Sequence, residues 1–227
     1  ARLGVVGDLE GIHVKEELER HLGSWKGEGI APLVCPSLPE LSPKTIKHSI
    51  NRDQVVLVFA AHSIRRTDQD FDALLLFDQI FGAAHSMNSK LFSLREQSGL
   101  FYTISGSLIA GVDEEPGMVV VKTIVSLDKL EEAKRVILRT IDTAIDELTE
   151  EELERARKML INARVDSFAT NKQMAATFIV LDRYNLGEDY FDRRVATLKA
   201  ITLEQVKTAA RKVLTSGRMI TLEVGRV

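Results

Sequence analysis

Apolar positions recur along this chain in two rhythms, one of two residues and one of three to four, and each rhythm predicts a different element. Residues 2–9 (RLGVVGDL) read as a short buried strand. The segment 11–25 that follows sets Val14, Leu18, Leu22 and Trp25 along one side of a helix. Residues 45–50 (TIKHSI) and 54–62 (QVVLVFAAH), rich in β-branched types, predict two strands paired around 51–53. Asp68 can cap a helix whose inner side carries Phe71, Leu74, Leu75, Phe77, Ile80 and Phe81, with Gly82 as its stop. A short helix from about Ser89 precedes strands at 101–109 and 118–125, which are joined by the loop GVDEEPG. Helical period then returns through Leu127, Leu130, Ile137, Ile141, Ala144 and Leu148. Thr149 with Glu152, and Thr202 with Gln205, have capping-box spacing and open two further helices. Between them, Gly187 is a stop signal and 189–198 reads as one more helix. The stretch 218–224 (RMITLEV) closes the pattern as a strand.

Hairpin-joined strands interrupted by blocks of helix predict an α+β fold, a mainly antiparallel sheet with helices stacked on one face. A seam lies near the front. Residues 26–44 hold four of the five prolines and two glycines, the composition of an extended linker. The expected organisation is therefore a strand-helix tail of a preceding domain at 1–28, a linker at 29–44 and a second domain at 45–227. A lone strand-helix unit buries little by itself, so the chain reads as a fragment. No repeat and no low-complexity tract is visible.

Composition narrows the function classes. With 227 residues, 44% of them hydrophobic, the chain can fill a substantial core. Thirty basic against 33 acidic residues give a net charge of -3, without the concentrated positive charge that nucleic acids require. The longest apolar run, 55–61, falls far short of the roughly 20 residues that span a bilayer. The expectation is a soluble protein that binds neither nucleic acid nor membrane. Cys35 is the single cysteine, which excludes an internal disulfide and a cysteine-based zinc site and leaves the compartment open. The start at Ala1 shows no basic region followed by an apolar stretch, so an export signal is expected to be absent or removed.

Several catalytic signatures are missing. There is no Walker loop, no dinucleotide fingerprint and no GxSxG elbow. Five histidines remain, His13, His21, His48, His62 and His85, and none stands in an HxxEH motif. His13, Glu17 and His21 share one side of the first helix, a spacing that can hold zinc, but mixed charged faces generate it readily and a solvated flank is the simpler reading. His48 and His62 fall on strands, and His85 in a polar turn. The acidic run DELTEEELE suits the positive end of a helix dipole better than a cation.

The stretch 91–106 (LFSLREQSGLFYTISG) is more informative. Leu91, Phe92 and Leu94 anchor a short helix, Gly99 supplies a left-handed end, and the chain then turns into a strand. Arg95 falls in the last helical turn, where its cation suits the dipole, and Tyr102 begins the strand. A turn between them can fold both side chains toward one place, offering a guanidinium and a phenol to one carbonyl oxygen. The competing reading makes Tyr102 a core residue in phase with Ile104 and Leu108.

The segment SKLFSLREQSGLFYTISG resembles the hallmark stretch in the second half of pitrilysin/insulinase-type zinc metallopeptidases, a family that includes mitochondrial processing peptidase and the core subunits of the respiratory cytochrome complex. VVGDL with its helix and tryptophan, DALLLFDQIFG, LTEEELERARKML and ITLEQVKTAARKVL are similar to further family segments, so the resemblance covers nearly the whole chain. It implies a two-layer α/β half that closes, clam-like, with a homologous half around a chamber. It further implies zinc on the other half, held by HxxEH and a distal glutamate, and Arg95 and Tyr102 as contacts to the substrate carbonyl. Lacking HxxEH, this chain is expected to carry no metal, to have no catalytic residue of its own and to cleave nothing alone. Its expected partners are a zinc-bearing half, on the same polypeptide or separate, and a peptide substrate. The alternative is an inert scaffold or assembly subunit of the same fold.

Overall fold

The computed structural model describes residues 2–27, 29, 36–82 and 88–226. Residues 30–35 of the linker tract, Cys35 among them, and His85 lie outside the described residues. By internal contacts the chain divides into two compact units, one of residues 1–38 and 163–190, the other of residues 39–162 and 191–227.

The larger unit is built on a five-stranded sheet. Its strands are β1 (Lys44–Ser49), β2 (Gln54–His62), β3 (Ile104–Ala110), β4 (Met118–Ser126) and β5 (Ile220–Gly225), in the order β1-β5-β2-β4-β3. All neighbours are antiparallel except β1 and β5. The expected hairpin of the first two strands does not form, because β5 lies between them and pairs with both. Burial explains the preference: β1 is exposed along its length and suits an edge, whereas β5 has an inward row to cover.

Along β2 every second side chain is buried: Val55, Leu57, Phe59 and Ala61. Val119, Val121, Thr123 and Val125 repeat the pattern on β4. Helices pack on this face. They are α2 (Phe71–Phe81), α3 (Lys90–Ser98), α4 (Leu130–Thr143), α5 (Glu150–Ala163), α7 (Tyr190–Ala200) and α8 (Leu203–Val213). Leu74, Phe77 and Phe81 of α2, Ile137 and Ile141 of α4, Leu153 of α5, and Val206 and Ala210 of α8 join the sheet residues in one core. The result is the expected α+β, two-layer arrangement. Both capping boxes form: Thr149 N donates to Glu152 Oε2 at 2.9 Å, and Thr202 N to Gln205 Oε1 at 2.8 Å.

The smaller unit contains α1 (Val14–Leu22), a 3-10 turn at Arg164–Phe168 and α6 (Asn171–Arg183). Residues 2–9, expected as a strand, form none. A strand needs a ladder partner, and the regular elements described in this unit are helical. The segment instead lies against α6: Arg2 Nε pairs with Asp182 at 2.7 Å, and a Cβ on Gly4 would stand 2.9 Å from the Ala175 carbonyl oxygen. Large apolar side chains stay exposed here, Leu3, Trp25 and Val165 among them. Among the described residues no helix is long and apolar enough to cross a membrane.

Candidate functional site

The site is carried by α3 and the turn that follows it. Ser89, itself buried, caps the helix by accepting a hydrogen bond from Phe92 N at 3.2 Å. Leu91 is the one buried side chain of α3, and its seat is a notch between two glycines. A Cβ on Gly82 would stand 2.7 Å from Leu91 Cδ1, and one on Gly106 would stand 2.6 Å from the same atom. Gly82 was expected to stop α2, and it is the C-cap residue, its N–H closing on the Asp78 carbonyl. Its φ is -161°, so glycine is required here for close approach to α3 and β3, not for left-handed backbone.

Gly99 does take the left-handed conformation, φ 61°, and its N–H closes the helix on the Arg95 carbonyl at 3.2 Å. Past it, the chain is tied on both sides of Tyr102. Phe101 is buried, and the Thr103 carbonyl accepts a hydrogen bond from Thr123 Oγ1 at 2.7 Å. Tyr102 itself is 85% exposed. Strand β3 begins only at Ile104, two residues later than a strand-borne tyrosine would need, and Phe101 fills the core position. The core-tyrosine reading is thereby removed.

Arg95 lies in the last turn of α3 with 38% of its side chain exposed. Its guanidinium is 3.4 Å from the Glu96 carboxylate and 5.6 Å from the centre of the Phe92 ring, both exchangeable surface contacts. Arg95 and Tyr102 therefore flank the Gly99 turn, and among the described residues no hydrogen bond joins them. Each is available to an incoming acceptor.

Behind α3 lies a group that the sequence does not announce. Lys90 Nζ stands 3.0 Å from Glu152 Oε1, with both side chains largely covered. Burial works against ionisation of Glu152, but the Thr149 N–H and Lys90 outweigh it and hold the carboxyl below its ordinary range. The capping-box spacing identifies Glu152 as a helix cap; its second partner is separated by more than 60 residues and has no local signal.

The side chains of the described residues do not fit a metal. Among the described residues no group of three or more His, Cys, Asp or Glu side chains could hold one. On α1, Glu17 is engaged by Arg20 and is 3.7 Å from His21 Nε2, while His13 serves as the helix N-cap residue.

The family model described as the peptidase M16 inactive domain matches residues 1–160. No curated protein matches the sequence. Among solved structures, the peptidase M16 inactive domain from Pseudomonas fluorescens is similar at 24% identity and a TM-score of 0.77, covering 89% of this chain and 47% of that one. A protease from Helicobacter pylori is similar at 14% identity and a TM-score of 0.75, covering 98% and 54%. A chain of complex III2 from Candida albicans is similar at 13% identity and a TM-score of 0.69, covering 88% and 49%. The chain thus spans about half the length of each, and at these identities the likeness concerns the fold.

Proposed function

The chain belongs to the peptidase M16 family, whose inactive-domain model it matches over most of its length, and from that premise we propose that it is the non-zinc half of an insulinase/pitrilysin-like metalloendopeptidase. On this reading its own part is to bind peptide and to contact the scissile carbonyl through Arg95 and Tyr102, and the metal belongs to a homologous partner half. The observation that supports it is that an 85% exposed phenol, on a backbone held at both neighbours, and a guanidinium engaged only at the surface stand on either side of one glycine turn. A preorganised cation and hydroxyl aimed at one oxygen stabilise the charge that gathers there during attack on an amide. They act as donors and positioners and move no proton.

Residues 1–28 are, on the same reading, the tail of the preceding half. In support, 2–9 forms no regular element and has no ladder partner in its unit, and Leu3, Ile12 and Trp25 are exposed. The likeness to a chain of complex III2 favours a second reading, an inert scaffold or assembly subunit of the same fold.

Turnover separates the two. With the chain assembled with its zinc-bearing half and supplied with a labelled peptide, Arg95→Ala and Tyr102→Phe should each lower kcat/KM by about 10- to 1000-fold. Rates unchanged by both substitutions remove the proposed contacts. No turnover by the intact assembly supports the scaffold.

A further inference from the structure

We infer that the Lys90–Glu152 ion pair is the positioning element that sets the direction of α3 and so aims Arg95 toward the oxygen that Tyr102 also serves. The inference rests on the reading of those two residues as carbonyl donors. Helix α3 has nine residues, a length that is not stable in isolation, so its orientation must come from a few tertiary ties. The first tie is Leu91 in its glycine notch. Leu94, partly buried against the core one turn on, is a softer contact that limits the tilt without fixing it.

The second tie is the ion pair, 3.0 Å long, with the lysine and glutamate side chains only 13% and 18% exposed. Its acceptor is already immobilised, because Glu152 Oε2 takes the Thr149 N–H at 2.9 Å in the capping box that opens α5. One carboxylate therefore joins the start of α3 to the start of α5. Packing around the pair is incomplete. Two hollows of about 190 and 230 Å³ adjoin the pair, and Asn88 and Glu152 line both.

The lever is short but sufficient. Arg95 is four residues beyond Leu91, about 6 Å along the helix axis, so a tilt of about 10° moves its backbone by about 1 Å. Displacements of that size at a reacting centre cost on the order of 100-fold in rate. Exposed ion pairs matter little to stability, yet this one, covered and tied at its acceptor, acts on geometry.

Glu152→Gln isolates the pair from the cap, since glutamine also serves in a capping box while the charge on Lys90 loses its partner. In hydrogen exchange on the 227-residue chain, α3 amides should exchange about 10-fold faster in this variant, with α5 amides unchanged. In the assembly with the zinc-bearing half, turning over fluorescein-labelled casein, Glu152→Gln should lower kcat by about 10-fold with little change in KM. Lys90→Arg should retain activity that Lys90→Met loses. In an Arg95→Ala background, Glu152→Gln should cost nothing further. Unchanged α3 exchange, or an undiminished loss in the Arg95→Ala background, overturns the inference. If Arg95→Ala alone leaves turnover intact, the carbonyl-donor reading fails, while the exchange result still decides whether the pair fixes α3.

Discussion

Asp78 stands on the inner side of α2 among Leu74, Phe77 and Phe81, and its Oδ1 accepts a hydrogen bond from Leu108 N at 2.6 Å. Leu108 lies where β3 slips register against β4, between Ser107 and Ala110, and Ser63 Oγ donates to its carbonyl. Two side chains thus satisfy backbone groups that a bulge frees from the ladder. Burial pushes the Asp78 carboxyl above its ordinary range, against the opposing Leu108 N–H and Ser107. A carboxyl whose pKa is raised by folding stabilises most below its unfolded value, and that contribution is lost as pH rises through the folded value. Asp78→Asn, which keeps an acceptor, should therefore gain stability relative to the parent as pH rises from about 4 toward 7, read by urea unfolding at each pH. The sequence reading passed over Asp78, whose partner lies 30 residues away and leaves no local signal. Tyr102 shows the opposite case, where strand phase extended backward from Leu108 predicts burial but the strand starts too late.

At the scale of elements, signals confined to a few residues were readable and those set by distant neighbours were not. The caps of α5 and α8 and the left-handed end of α3 follow from local hydrogen-bond geometry, so spacing alone located them. Gly82 was legible as the end of α2, but its close approach to the Gly106 backbone, 3.1 Å from where a Cβ would stand, was not. Gly82→Ala should destabilise by about 1–3 kcal/mol by overpacking that contact, with a lowered midpoint of urea unfolding as the readout. Glu223 is an inward carboxylate on β5, 2.7 Å from Lys134 of α4 and 3.3 Å from Lys47 of β1. Burial opposes its ionisation, but the two lysines prevail and depress its pKa. Its stabilising effect is thus present above the ordinary carboxylate range and lost as pH falls through the depressed value. Lys134→Met should cost about 2 kcal/mol at neutral pH by leaving Glu223 with Lys47 alone, and less in acid where the carboxyl is protonated.

For the whole molecule, fold class was legible because one-sided alternation on the strands and three-to-four periodicity on the helices both point to a single buried face. Strand order was not, because β5 comes from the far end of the chain and its insertion beside β1 leaves no trace in local pattern. The same limit applies to the site. Residue types and the glycine bend could be read, whereas the Lys90–Glu152 tie behind them could not. The central claim is that Arg95 and Tyr102 serve one oxygen of a peptide held between this chain and a zinc-bearing half. The most direct test is a double-mutant cycle on kcat/KM of that assembly, with Arg95→Ala, Tyr102→Phe and the combination. The account predicts that each single change lowers kcat/KM and that the combined loss is well short of the product of the two. Losses that simply multiply, or no loss at all, would contradict it.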